Sequence, residues 1–455
     1  MDLTSKSDRL GTEPIVPLLL KLSIPSIFGM FIQALYNVVD SIYIGHLSKE
    51  ALSALSLAFP IQMVLIAVGV GTGTGTSSLI SRLLGEKRRL KANNAAENAV
   101  FLAVIYGIAV GIVGVFFSHA LIKMFTDNLL LIDLGKRYIR IILIGSIAMF
   151  FPVIANNILR GEGNTFVPML AMLIGAIINI VLDPFLIFGI GFFPRLGVEG
   201  AAYATVFARL LSGIFIAYIL FSDKNELKLN MKDFKFDYQI IKEIYQVGFP
   251  AMSMQILASV MVAGVNKIVV NYNVVAVAVV GIYFRLQSFF FMPVFGLNQG
   301  YIPIIGYNYG HKNPLRIKKT MKYGMLIGFL FTTTGLIIFQ LFPEELIRLF
   351  NQNPELVKTG IIALKRISLA FPIIGPAIVG STTFQAIGKG LPSLTLSFLR
   401  QFIFLLPVMY LLGKYYGLSA SWFAFPISEL AAAILMVFWL SSTMKRLLAK
   451  LENST

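Results

Sequence analysis

Apolar residues in this chain come in long unbroken blocks, without the short two- or 3.6-residue alternation of a water-soluble fold. Residues 101–117, 169–187 and 394–412 each run for most of a bilayer thickness with few or no charges. A helix needs about 20 apolar residues to cross the hydrocarbon core. Charged and Gly/Pro-rich breaks divide the pattern into twelve predicted spans. The first six are 16–44, 51–81, 94–122, 129–158, 167–189 and 197–221. The second six are 241–270, 275–307, 320–343, 360–387, 392–413 and 418–443. The fold class expected is an all-α integral membrane protein.

Sliding the sequence on itself by 225 residues keeps costly residue types in register. Pro25 falls on Pro250, Gln62 on Gln287, Gly71 on Gly296, Gly75 on Gly300, Gly85 on Gly310 and Lys87 on Lys312. The longest polar connection, 222–238, lies at the middle. The reading is therefore two homologous six-helix bundles, residues 1–221 and 241–455, joined by a linker at 222–240. An even number of spans gives both halves one orientation, related by a pseudo-twofold axis along the membrane normal.

Charge orients the chain. Arg82, Lys87–Lys91, Arg160, Lys224–Lys235, Lys312–Lys319 and Lys389 fall in one set of connections, and the alternate set is sparser. The positive-inside rule places the first set, and both termini, in the cytoplasm. The net charge of +16 reads as this topology and not as a nucleic-acid surface. Hydrophobic residues make up 57% and charged residues 13%, against about a quarter charged in soluble domains. Cysteine is absent and histidine numbers three, so thiol nucleophiles and cysteine-based zinc sites are excluded. The polar segment 1–14 is no cleavable signal peptide. No HExxH or GxSxG pattern is present, and the run Gly69-Val-Gly-Thr-Gly-Thr-Gly75 lacks a P-loop ending, so it reads as a helix-packing face. No cofactor and no enzymatic activity are expected.

The informative residues are polar groups inside spans. Counted from Leu22, Asp40 lies roughly 27 Å up the first span; counted from Val167, Asp183 lies roughly 24 Å up the fifth. Two carboxylates thus reach one depth in the outer half. An intramembrane acid costs at least about 2.5–3.5 kcal/mol unless a cavity, cation or proton receives it. Asn179 lies one turn below Asp183, Pro184 denies the Ile180 carbonyl its donor, and Thr205 and Tyr138 lie at similar depth. Oxygen-only ligands at Asp40, Asn179, Asp183 and Thr205 suit Na⁺, and the same carboxylates could carry protons. The plainer alternative is that the two acids only bond neighbouring helices. Arg209, Arg400, Lys267 and Glu429 read as structural, with Arg209 and Glu429 pairing with each other or with loops. The second half lacks the acids and offers an aromatic wall including Tyr283 and Phe284, with Arg285 and Gln287, suited to bulky hydrophobic or cationic ligands.

At these residues the sequence resembles the multidrug and toxic compound extrusion (MATE) family, DinF-like prokaryotic branch. The matching stretches are Ala34-Leu-Tyr-Asn-Val-Val-Asp40, Leu159-Arg-Gly-Glu-Gly-Asn164, Asn179-Ile-Val-Leu-Asp-Pro184, Gly200-Ala-Ala-Tyr-Ala-Thr205, Gly296-Leu-Asn-Gln-Gly300 and Pro303-Ile-Ile-Gly-Tyr-Asn-Tyr-Gly310. The resemblance implies a V-shaped pair of bundles in the prokaryotic plasma membrane, exporting drugs or toxic metabolites in exchange for H⁺ or Na⁺. It implies Asp40 as principal coupling residue, Asn179, Asp183 and Thr205 as the cation site, Tyr138 as its support, and Gln33, Tyr36, Asn37 and Asn156 on the N-terminal cavity. It implies a monomer in contact with lipids. No acid falls in the tenth span, so a C-terminal cation site is not expected. The mechanism anticipated is alternating access, with the first span bending near Pro25. A lipid-linked saccharide flippase on a similar architecture is the alternative function; it would require several inward-facing Arg and Lys.

Overall fold

In the computed structural model, residues 6–191, 193–222 and 225–452 are described, and the side chains beyond 446 are not. Lys224 and residues 1–5 of the N-terminal segment lie outside the described residues, as does the side chain of Lys450. Eleven helices are long and apolar enough to span a membrane: α1 (Ile15–Leu47), α2 (Lys49–Gly85), α3 (Arg89–Lys123), α5 (Phe166–Phe188), α6 (Val198–Leu220), α7 (Tyr238–Val269), α8 (Val274–Gly310), α9 (Pro314–Leu341), α10 (Pro354–Ala386), α11 (Gly390–Tyr416) and α12 (Leu418–Arg446). The twelfth span, α4, is a broken pair, α4a (Leu129–Ile144) and α4b (Ile147–Gly161), bent by 48°. All twelve predicted spans are present, and no strand occurs among the described residues.

The sequence pattern missed the break in α4. No proline sits at it; Gly145 does, and a Cβ there would meet Val206 of α6 at 2.5 Å. The bend thus lets α4 close on α6 without a side chain in the way. Pro25 and Pro184, by contrast, lie inside continuous helices. In α11 the ladder loosens into a π-type turn over Leu399–Leu405. The repeat has a backbone signature too. Lys87 and Lys312, 225 residues apart, are the non-glycine residues with left-handed φ among the described residues, at 61° and 55°.

The halves meet at the end of the molecule that carries the basic connections. There α2 packs on α7 and α8, and α1 packs on α8. The seam is made of glycines against backbone. A Cβ on Gly71 would lie 2.7 Å from the Gly248 carbonyl, one on Gly296 2.7 Å from Ile27 Cα, and one on Gly300 2.9 Å from Leu22 Cβ. Gly75 abuts the Ile244 carbonyl and Gly85 the Tyr307 carbonyl. The glycine-rich run of α2 is therefore a packing face, as its composition predicts. Ser78 Oγ adds a hydrogen bond across the seam to the Gln385 carbonyl at 2.6 Å. Toward the opposite end the helices splay, and Leu35, Val38, Phe59, Ile256 and Val260 are exposed.

A strap formed by Lys6–Asp8 and Arg9–Thr12 covers the sealed end. Asp8 contacts Lys87 and accepts from Tyr307 Oη at 2.8 Å. Arg9 donates to the Gly163 carbonyl at 2.6 Å. Leu10, fully buried, packs on Gly163, and its carbonyl accepts from Asn308 and Arg316. Ser7 donates to Glu226 of the linker. One short segment thus ties both halves and the linker together.

Candidate functional site

Asp40 comes from α1, Asn179 and Asp183 from α5, Thr205 and Arg209 from α6, and Tyr138 from α4a. The i,i+4 spacing of Asn179 and Asp183 stacks them on one face of α5, and Asn179 Nδ2 donates to Asp183 Oδ1 at 3.2 Å. The same amide reaches Thr205 Oγ1 on α6 at 3.5 Å. Asp183 is fully buried, Asn179 is 2% exposed and Thr205 5%. Asp40 is half-buried, and its carboxyl lies close enough to that of Asp183 for the two to act on each other electrostatically. The two acids predicted to share a depth are therefore neighbours.

The oxygens there are under-used. Asp40 Oδ1, Asp183 Oδ2 and Asn179 Oδ1 are all buried with no hydrogen-bond partner. Buried acceptors left unpaired cost about 1–3 kcal/mol each. Two facing carboxylates also repel unless a cation or shared proton sits between them. Among the described residues no cluster of three or more His, Cys, Asp or Glu exists.

Two neighbours were not anticipated. Arg209 donates to Tyr36 Oη at 3.4 Å and acts electrostatically on Asp40. It does not pair with Glu429, which instead accepts from Arg400 Nη1 at 3.1 Å within the second half. The signal was available: Arg209 follows Thr205 by four residues, one turn on the same face. Gln62 lies beside the buried Tyr138 hydroxyl, which is close to Asp40. Gln62 had already stood out as a residue kept in register by the repeat.

The other candidate positions distribute as follows. Gln33 and Asn37 are exposed on α1 and Tyr36 is half-buried. Exposed amides at bilayer depth belong on a water-lined surface. Asn156 is 8% exposed with its Oδ1 unpartnered, one turn above Arg160 on α4b. Arg160, itself 9% exposed, reaches across the seam to Gln299 Oε1 at 3.3 Å and has no carboxylate partner among the described residues. Arg285 is exposed, and Phe284 and Gln287 are half-buried. Tyr283 is 1% exposed, packed against Phe284 and Phe425 with ring centroids 5.1 and 5.6 Å away, and presents no surface to the cleft in this conformation.

Comparison with known proteins places this geometry. The MatE family profile matches residues 25–185 and again 250–411, once in each half. The multidrug export protein MepA of Staphylococcus haemolyticus is 28% identical, over 93% of this chain and 93% of its own length. The probable multidrug resistance protein NorM of Thermotoga maritima is 30% identical, over 89% and 87%. The FAD transporter of Shewanella oneidensis is 28% identical, over 94% and 95%. Among solved structures, an outward-facing MATE family transporter of the MOP superfamily superposes with a TM-score of 0.91 at 30% identity, covering 98% of this chain and 99% of that one. A MOP-superfamily transporter from Pyrococcus furiosus superposes equally well at 29% identity.

Proposed function

The chain belongs to the MatE family of membrane transporters, and from that premise we propose that it exports bulky hydrophobic or cationic small molecules by antiport with H⁺ or Na⁺. The basic, sealed end faces the cytoplasm and the splayed end faces outward. The observation that carries the reading is the Asp40–Asp183 pair with Asn179 beside it, which together hold three unpartnered buried oxygens. An ion or proton arriving from outside satisfies these acceptors and removes the repulsion between the carboxylates. The N-terminal half then adopts a different preferred packing, and substrate leaves outward. Coupling requires only that ion and substrate favour different states of the same equilibrium. Arg209, held by Tyr36, tempers the negative charge so that binding is reversible.

Purified protein in proteoliposomes tests this. Export of a fluorescent lipophilic cation is driven separately by a pH gradient and by a Na⁺ gradient. Asp40→Asn should abolish gradient-driven transport while leaving the protein folded; wild-type rates in that variant would refute the assignment.

A second reading has one observation in its favour. Arg160 is a buried guanidinium at the seam between the halves, with no carboxylate partner among the described residues. Such a group suits an anionic moiety, and one relative is named for transport of FAD. Adding FAD to the same assay decides it: FAD export that is lost in Arg160→Gln supports an anionic substrate, and no FAD export removes the reading.

A further inference from the structure

At the outward end of the first half lies a cavity of about 270 Å³, lined by Leu47, Ser48, Leu134, Arg137, Val198 and Glu199 among others. It is separate from the cleft between the halves, since its walls come only from first-half segments: the outer ends of α1, α2, α4a and α6 and the turns that precede α2 and α6. We infer that this cavity is the port through which the coupling ion, as hydronium or hydrated Na⁺, reaches the Asp40–Asp183 pair from outside. The inference rests on the antiport reading above and adds a route to it.

The helical register makes the case. Leu47 is seven residues from Asp40, Val198 seven from Thr205 and Leu134 four from Tyr138. Each interval is a whole number of turns to a good approximation, so each pair lies on one helix face. In all three helices the site residue is the deeper member, by about 10 Å for the seven-residue pairs and about 6 Å for the four-residue pair. The cavity therefore stands axially over the site, walled by three of the four helices that supply it. Beneath it, Asp183 Oδ2 and Asn179 Oδ1 are buried acceptors without partners, on side chains 0% and 2% exposed.

The rim carries charge of both signs. Arg137 is bound to Asp133 at 2.9 Å and lies 3.9 Å from Glu199. Arg137 and Glu199 line the cavity, and Asp133 lies one turn outward on α4a. With a port of its own, the ion need not wait for substrate to vacate the central cleft.

The chain contains no cysteine, which makes a blocking experiment direct. A single cysteine is placed at Leu134, or at Leu196 if the first variant expresses poorly, and modified from outside with the neutral, bulky benzyl methanethiosulfonate. Leu130→Cys, one turn outward on α4a and not in the cavity, is the control. Modification at Leu134 should slow ion-driven export at least about tenfold, the scale on which focused access governs rates, while modified Leu130→Cys keeps its rate. Complete modification at Leu134, verified by intact mass, with a rate unchanged from the unmodified variant would overturn the port. The Asp40→Asn variant is run alongside. If it is inactive while the modified Leu134→Cys transports normally, the antiport reading stands and the port falls. If Asp40→Asn transports normally, the reading itself falls.

Discussion

Glu162, in the turn that ends α4b, offers a perturbation whose sign and size can be worked through. It is 4% exposed, accepts from Asn225 Nδ2 at 2.9 Å, and faces the Glu226 carboxyl of the linker. Burial first, and the Glu226 charge second, push its carboxyl up to about 8 from an ordinary 4.5. The folded chain therefore holds this proton more tightly than the unfolded chain. The stabilisation is complete below the unfolded value and is lost as pH rises through about 8. At about 1.4 kcal/mol per pH unit, the ceiling is roughly 5 kcal/mol. Glu162→Gln keeps an acceptor for Asn225 and cannot ionise, so it should retain at pH 9 what the wild type loses. The readout is amide exchange in the linker, where the Lys228 and Asn230 N–H groups are bonded to Asn93 and Glu97. The ratio of wild-type to variant exchange at each pH cancels the intrinsic rate. It should be near one at pH 5 and rise to at least about tenfold at pH 9, which corresponds to 1.4 kcal/mol. A ratio that does not change with pH would show that Glu162 is not the titrating group.

Other perturbations follow from the same contacts. Gly75→Ala pushes a methyl against the Ile244 carbonyl, where backbone has no room to yield; a cost of about 1–3 kcal/mol to the sealed seam should speed labelling of a cysteine placed at Leu22, and unchanged labelling would contradict the close packing. Arg400→Ala strands Glu429 and should destabilise by about 3–5 kcal/mol in a denaturation series, whereas Arg400→Met with Glu429→Leu should recover most of it. Arg160→Met removes a buried charge that has no counter-ion and should raise thermal stability; a lower midpoint would mean that the Gln299 bond outweighs desolvation.

The spans, the repeat and the packing role of the α2 glycines were legible because each depends on local pattern: run length, register and residue size. The meeting of Asp40 and Asp183 was legible from rise per residue alone, since membrane helices are nearly straight rulers. Arg209 escaped because a long basic side chain in a span has two outlets, snorkelling or pairing, and only the neighbour on α1 decides between them. Tyr283 escaped for a related reason: an aromatic on a helix buried on several sides can face a core or a cleft, and composition is the same in both. The bend at Gly145 had no proline to announce it. The fold of residues 6–13 over the sealed end had no periodicity at all, because it is held by polar contacts to partners scattered along the chain.

That last feature bears on how the molecule is made. The strap is synthesised before the groups it binds: Ser7 bonds Glu226, Asp8 bonds Tyr307, and the Leu10 carbonyl waits for Asn308 and Arg316. Those separations, 219 to 306 residues, are the kind that close late. Until Arg316 has left the ribosome, the strap can hold only Lys87, Gly163 and Glu226, and its lock on the second half is not yet made. Final closure at the basic face is thereby a report that the second half has arrived and docked, a checkpoint written into the order of synthesis.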